Sequence, residues 1–415
     1  MRDQDYYVGL DIGTSKVAVV VGQVQEGIVR IVGLGKAPNS GVRKGSVVDI
    51  EETVSAVSGA LDEAERSCGI TLEHCIASVG GNQAVSIDSK GVIAVSRADG
   101  EIQEADIERV LSASQSVALP PNYEIIHNIP KSFVVDGQAA IKDPVGMSGI
   151  RLEVLSHVVG VSTPAVKNLS KAITQSGLDI DGIVFAPIAA SKAFLSKKQK
   201  ELGVILIDIG AANTSIAVFE ENVLIHSKVI PVGSNHITND IAIGLKISIE
   251  AAEKVKREEV SAYLEEVKET EKIDLSKYEK SEKEKPGLRY VCEIVDARLN
   301  ELFGMINEEL KLIKKDANLP AGAVLVGGGS QLKDIEQFTK KSLGLPAQAG
   351  VPAFEVSGIV DKIDNSLYAT AVGLMLWGID EAPTNVSNKR RLDQGSARIG
   401  GVVEKIKEVF RNIIP

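Results

Sequence analysis

The sequence predicts an α/β protein made of two copies of one β-rich unit, with a separate subdomain inserted between them. The first observation is a turn that occurs twice. A buried strand runs into Asp11-Ile-Gly13 and another into Asp208-Ile-Gly210, both pairs at the same 197-residue offset. The second is that strands and then a helix follow each turn in the same order, so register as well as motif is kept, as internal duplication requires. The third is that residues 84–163 break this rhythm.

Taken in order, residues 6–35 read as three strands, "YYVGLDIG", "KVAVVVGQV" and "GIVRIVGLG", separated by glycine-containing turns. The stretch "IEETVSAVSGALDEAERSCG" places Val54, Val57, Leu61 and Ala64 on one helical face and stops at Gly69. Residues 84–163 then bring "GVIAVSR", a helix in "QEADIERVLSASQS", a Pro-Pro turn and "EIIHNIPKSFVVDG". From residue 204 the opening order returns: a buried strand, the second Asp-Ile-Gly turn, strands "TSIAVF" and "VLIHSKVIPV", and a helix after "GSNHIT". Residues 258–287 are dense in Lys and Glu and read as a solvated helix or a mobile loop. In "AVLVGGGSQL", residues 323–332, a buried strand meets three consecutive glycines, and a helix-like "QLKDIEQFTKKS" follows. After Trp377 the polar "DEAPTNVSNKRRLDQGSARIGG" has no periodicity and reads as a linker.

Composition narrows the function classes. Hydrophobic residues make up 44% of the 415 and aromatics 4%, which is ordinary for an α/β core of Val, Ile, Leu and Ala and excludes disorder of the whole chain. A formal net charge of −10 argues against a general nucleic-acid binder, which needs a broad cationic footprint. Three cysteines, Cys68, Cys75 and Cys292, lack paired metal spacing, so a reducing cytoplasm is expected rather than a disulfide framework or zinc site. His74 beside Cys75 is read as incidental. The opening "MRDQDYYVGL" does not resemble a signal peptide, and no apolar run approaches the ~20 residues of a membrane-spanning helix.

The chemistry lies in the turns. A glycine directly after a strand lets backbone amides approach an anion, while a neighbouring aspartate holds the counter-cation, usually through water. Asp11 with Gly13, and Asp208 with Gly210, therefore suit a phosphate with magnesium. Gly327 to Gly329 let backbone lie flat against a nucleoside, although a plain strand-to-helix turn has the same sequence when taken alone. Glu253 and Lys256 share a helix face at i, i+3, with Arg257 one turn on, a pattern that a solvated charge run also has.

Together, Asp11-Ile-Gly-Thr-Ser-Lys16, Asp208-Ile-Gly210, Gly327-Gly-Gly329 and Glu253 with Lys256 and Arg257 resemble the nucleotide site of the actin, DnaK and sugar-kinase superfamily. Two further segments, "AIKDPVGMSGIRLEV" at 140–154 and "VIPVGSNHITNDIA" at 229–242, are similar to the FtsA family of bacterial cell-division proteins. The resemblance spans roughly residues 5–380. It implies an actin-like (ribonuclease H-like, duplicated) fold whose two lobes close over ATP and Mg2+, with the insert as subdomain 1C. Carried over residue by residue, Asp11 and Asp208 would face metal and phosphates. Gly13, Thr14, Ser15 and Lys16 would form one phosphate turn, and Gly210, Ala211, Ala212, Asn213 and Thr214 the other. Glu253, Lys256, Arg257, Gly327, Gly328, Gly329 and Ser330 would hold the nucleoside. The implied subdomains are 1A at 1–83, 164–198 and 358–380, 1C at 84–163, 2A at 199–243 and 316–357, and 2B at 244–315.

Two departures from the family pattern matter. Gly-Ala-Ala-Asn-Thr stands where relatives often have a run of glycines, so the methyls are expected to crowd the phosphates, with Asn213 tolerating left-handed backbone. Ala186, before Pro187, stands where DnaK-type enzymes place a water-positioning glutamate, which leaves at most slow hydrolysis.

The tail adds an independent pattern. In "GGVVEKIKEVFRNIIP" the apolar Val402, Val403, Ile406, Val409, Phe410, Ile413 and Ile414 recur at helical spacing, with charged residues opposite. A helix at 401–415 after a linker at 381–400, with Lys389, Arg390, Arg391 and Arg398 upstream, suits an interfacial anchor on anionic lipid. The same pattern fits a helix docked on the protein's own core or on a partner. The resemblance implies a membrane adaptor at the cytoplasmic face of the division site that binds the FtsZ C-terminal tail, self-assembles into filaments and meets other division proteins through 1C. Within "VDARLNEL", residues 295–302, Arg298 and Glu301 are the implied FtsZ contacts. A PilM-like pilus protein and a small-molecule kinase are the alternative readings of the same turns.

Overall fold

The duplicated unit keeps its hydrogen-bond register in both lobes of the computed structural model, which describes residues 6–25, 27–96, 99–359 and 366–381. In the first lobe, Tyr6–Ile12 pairs antiparallel with Lys16–Gln25 and sets Asp11 opposite Ala18. In the second, Val204–Ile209 pairs with Thr214–Glu220 and sets Asp208 opposite Ser215, the same pairing 197 residues on. Each leading strand has a parallel neighbour on its other side, His74–Val79 in the first lobe and Ala323–Val326 in the second. The first-lobe sheet runs Asp179–Phe185, His74–Val79, Tyr6–Ile12, Lys16–Gln25, Ile28–Pro38, Val356–Gly358. The second-lobe sheet runs Val223–Ile230, Thr214–Glu220, Val204–Ile209, Ala323–Val326, Ala347–Ala349.

The central strands are near-continuous Val, Ile and Leu because helices cover both faces. Residues Val17 to Val21 are completely buried. On one face of the first sheet lies the helix Ile50–Cys68, whose start is fixed by Asp49 accepting from the Glu52 amide and whose end is a left-handed Gly69. On the other face lies Ala369–Glu381, packed so closely that a Cβ on Gly9 would sit 2.0 Å from the Ala371 carbonyl oxygen. The second lobe is covered by Ser234–Leu245, Ile249–Glu258 and the long Leu288–Leu312.

The insert is a four-stranded antiparallel sheet ordered Ala84–Ala94, Arg151–Ser162, Tyr123–Val135, Gln138–Ile141, with the helix Glu104–Ser114 on one face and a small core of its own. It is tied to both lobes. Toward the first lobe, His127 Nε2 accepts the Phe185 amide at 2.9 Å; burial pushes its pKa down to about 4, so the ring is a neutral acceptor. Toward the second, the His157 ring lies between Asp88 Oδ1 at 3.0 Å and Ser227 Oγ at 2.8 Å.

Residues 258–287 correct the sequence reading of a solvated helix or mobile loop. They form an irregular strap with single 3-10 turns at Leu264–Glu266 and Leu275–Lys277. Buried Val260, Ala262, Val267, Ile273 and Leu275 pin it to the second-lobe core. Their spacing gives no continuous helical face, yet each supplies an anchor, and Leu288 N–H to Glu271 O at 2.8 Å closes the loop on itself. The segment after the three glycines is likewise interrupted: a left-handed Asp334 separates the 3-10 turn Gly328–Gln331 from the helix Ile335–Leu343. The expected tail helix, with Val402, Val403, Ile406, Val409, Phe410, Ile413 and Ile414, lies outside the described residues.

The Gly9 contact predicts a contrast between two glycines. Gly9→Ala must push strand and helix apart and is expected to cost about 1–3 kcal/mol. Gly304→Ala, inside Leu288–Leu312 with nothing within 4 Å of the new methyl, should stabilise by about 0.5–1 kcal/mol. Urea unfolding midpoints measured side by side check both signs.

Candidate nucleotide site at the lobe junction

The two turns are closed by the same hydrogen bond. Gly13 N–H donates to Lys16 O at 2.9 Å, and Gly210 N–H to Asn213 O at 2.9 Å. Neither turn contains a residue at positive φ, so the left-handed backbone that Asn213 tolerates is not used. Gly210 is required by proximity instead, since a Cβ there would lie 2.8 Å from Asn213 O. Asn39 Nδ2 braces the first turn by donating to Gly13 O at 2.8 Å. The Ser234 and Asn235 amides, opening the helix Ser234–Leu245, brace the second through Gly210 O and Ala211 O at 2.9 and 2.8 Å.

The turns bring Asp11, Asp208 and Lys16 into one electrostatic cluster. Burial raises the Asp11 pKa, against the Ser78 hydroxyl, which donates to Oδ1 at 2.7 Å, and the nearby Lys16 charge. Asp208 is pushed up to about 6, first by burial and then by the Asp11 charge, with Lys16 and a hydrogen bond from Thr370 opposing. Burial lowers the Lys16 pKa while both carboxylates raise it. The Lys16 ammonium donates to the Leu367 carbonyl and stands 5.8 Å from the Tyr368 ring centre. Two carboxylates share one ammonium, and the cluster is short of positive charge.

That shortage fits a divalent cation. No group of three or more His, Cys, Asp or Glu is gathered among the described residues, so a metal here would complete its shell with water and phosphate oxygens. Asn213 Oδ1 is buried without a hydrogen-bond partner, an acceptor that a metal-bound water would satisfy. The donor set is hard oxygen, as Mg2+ requires.

The glycine triplet divides by role. Gly327 has φ +83°, and a Cβ on it would lie 2.2 Å from Asp208 Oδ1; a Cβ on Gly329 would meet Ile209 Cγ2 at 2.2 Å. Both are explained by packing. Gly328 is exposed and has room, its would-be Cβ meeting only Leu367 Cδ2 at 3.4 Å, so it is the one whose bareness an outside ligand would use. Ser330 Oγ is turned inward to Gly327 O at 2.8 Å.

Of the second-lobe charges, Lys256 is buried and its ammonium is spent on Ser234 Oγ and Thr238 Oγ1, each at 2.8 Å, and Glu253 Oε2 at 2.6 Å. It joins Ile249–Glu258 to the helix that braces the second turn. Glu253 is half-buried and accepts from Thr238 Oγ1 at 2.6 Å; Arg257 is exposed. Arg298 and Glu301 lie apart from this cluster on Leu288–Leu312, where Arg298 grips Asp240 through Nε at 2.6 Å and Nη2 at 3.0 Å and also bonds Glu301.

Sequence reasoning missed Ser78, Asn39, Ser234, Thr370 and the Ser366–Tyr368 turn. Ser78 had a legible signal, a hydroxyl breaking the apolar run "HCIASV" just before Gly80. The Ser366–Tyr368 turn had none, because its contribution is a carbonyl.

A family model described as cell division protein FtsA matches residues 205–373, and one described as an SHS2 domain inserted in FtsA matches residues 81–160. Over 381 residues the chain is 36% identical to the cell division protein FtsA of Pseudomonas aeruginosa, covering 92% of this chain and 91% of that relative. The chain belongs to the FtsA family. Its actin-like fold is shared with the PilM–PilN type IV pilus biogenesis complex, at TM-score 0.67 and 17% identity over 90% of this chain and 98% of that one. It is shared too with MreB5 of Spiroplasma citri bound to ADP, at TM-score 0.53 and 13% identity over 90% and 95%. At those identities the pilus protein shares a fold with this FtsA chain, and family membership is carried by the sequence relatives.

The raised Asp208 pKa fixes a pH dependence. A group held above its ordinary value of 3.8 contributes stability when protonated, and that contribution is lost as pH rises through about 6. Without nucleotide, Asp208→Asn should therefore be more stable than wild type above pH 6, by up to about 3 kcal/mol. The gap should close as pH falls toward 4. Thermal unfolding across pH 4–8 reads it directly.

Proposed function

We propose that this FtsA-family protein binds ATP with Mg2+ between its lobes and uses the bound state to tether FtsZ to the cytoplasmic face of the membrane at the division site. The observation that carries the nucleotide reading is the pair of register-matched turns whose carboxylates share one lysine. Asp11 and Asp208 would hold the metal through water, and the amides of the two turns would meet the phosphates. A bound Mg–ATP would neutralise the Asp11–Asp208 repulsion and favour the closed arrangement of the lobes by differential affinity. Filament assembly and recruitment of other division proteins through the insert would follow from that closed state.

Ala186 supports binding over turnover. It opens the helix Ala186–Phe194 directly after the strand Asp179–Phe185, and its methyl faces Gly80, where an added Cβ would lie 3.5 Å away. A methyl cannot orient water, so the isolated protein should turn over ATP more slowly than about once per minute while binding it tightly. A steady-state rate of many per minute overturns this.

For FtsZ, Arg298 and Glu301 stand beside an exposed apolar surface. Ile243, one turn on from Asp240, is 76% exposed, the exposed Tyr290 brings its hydroxyl to within 3.8 Å of where a Cβ on neighbouring Gly244 would lie, and Ile249, at the start of the next helix, is exposed as well. An extended tail carrying apolar residues and a charged group would use both. Tyr290→Ala and Arg298→Glu should each weaken FtsZ-tail binding at least tenfold with unchanged circular dichroism, Tyr290 being the cleaner test because it holds no internal ion pair.

No helix among the described residues is long and apolar enough to cross a membrane, and the membrane reading is carried by the amphipathic sequence at 402–414. Sedimentation with anionic liposomes should pellet the whole chain and leave a chain truncated after Asn388 in solution. Equal sedimentation of the two overturns the anchor.

A further inference from the structure

A small hairpin, Val42–Arg43 paired with Ser46–Val47, sits where three parts of the molecule meet. Its tip, Lys44–Gly45, has both residues in left-handed backbone, as a tight two-residue turn requires. Gly45 N–H donates to Thr14 Oγ1 of the first turn at 3.3 Å. A Cβ on Gly45 would lie 3.3 Å from Asn213 Nδ2 of the second turn. The same Cβ would lie 2.5 Å from the Cα of Gly81, and one on Gly81 would lie 2.5 Å from the Cα of Gly45, so the two backbones touch at a point no side chain could enter. Lys44 O also accepts the Asn82 amide at 3.3 Å. Gly81–Gln83 leads straight into Ala84–Ala94, the first strand of the insert.

Charge and unmet hydrogen bonding point to what the tip touches. Arg43 and Lys44 are exposed, and their side chains make no hydrogen bond or ion pair among the described residues. The cleft offers one ammonium, Lys16, against two carboxylates, whereas a nucleoside triphosphate with one Mg2+ still carries about two negative charges. Lys36 is close enough to Lys16 to lower its pKa, and the hairpin adds two further cations on a tip whose Gly45 already touches both turns. Two buried polar atoms without partners, Asn213 Oδ1 and Ser46 Oγ, belong to the same junction.

We infer that the Arg43–Gly45 tip reads the terminal phosphate of the bound nucleotide and passes its presence to the insert through the Gly45–Gly81 backbone contact. The inference depends on the nucleotide reading above and adds to it residues outside both turns. With a terminal phosphate held between Thr14 and Asn213, the tip is drawn against the turns by its cations and the Gly81–Gln83 root is fixed. With a diphosphate that pull is missing, and the root of the insert is freer.

The test is equilibrium titration of the full chain with Mg–ATP and Mg–ADP, paired with hydrogen exchange over residues 84–94. Wild type should prefer ATP, and ATP should slow exchange in that strand more than ADP does. The double variant Arg43→Ala, Lys44→Ala changes only exposed side chains and should lose about tenfold in ATP affinity with ADP affinity within twofold of wild type. It should also lose the ATP-specific protection of 84–94. A variant that keeps the wild-type ATP-to-ADP ratio overturns the phosphate-reading role. Protection of 84–94 that persists in the variant while the ratio falls overturns the relay. A wild-type chain that binds neither nucleotide overturns the nucleotide reading itself and this inference with it.

Discussion

The structure is organised around two carboxylates that the duplicated backbone forces toward each other. Asp11 and Asp208 end equivalent strands, and the folded chain sets both against one lysine in surroundings that penalise charge. Ser78, Thr370 and Lys16 soften the repulsion without cancelling it. Such an arrangement is tolerable because the rest of the molecule over-determines it, and it gives the lobes a reason to respond to a cation and a phosphate. On the reading proposed above, a bound cation would relieve a cost already built into the fold.

Rigidity around that centre comes from backbone packed on backbone. Gly9 brings the helix Ala369–Glu381 against the leading strand, and the same segment contributes Thr370 to Asp208 and, just ahead of the helix, the Leu367 carbonyl to Lys16. The Lys256 network plays the matching part in the second lobe by holding the helix whose amides brace residues 210 and 211. The charged residues nearest the cleft are thus largely structural partners of the turns.

Much of the architecture was legible because the duplication leaves a periodic trace. The 197-residue offset, the apolar strands and the helix face at Val57, Leu61 and Ala64 all survive as simple patterns, and the structure repeats them in its strand register. What was not legible is non-local or carried by the main chain. The Leu367 carbonyl has no sequence signature, and Asn39 reaches Gly13 from another strand's end. The strap at 258–287 misled because its charge density hid five anchoring residues at irregular spacing. The turn at 210–214 carries no residue at positive φ, so the left-handed backbone that Asn213 could tolerate is not called on there.

The seam between insert and second lobe has a mechanical consequence. The insert grows from the first lobe at Gly81–Gln83, but its Asp88–His157 pair grips Ser227 on the edge strand of the second. A body attached at two places to two lobes is a linkage, not an appendage. A rotation of one lobe against the other would have to carry that seam along as a pivot or pull it apart, so the tilt of the insert would follow the angle between the lobes.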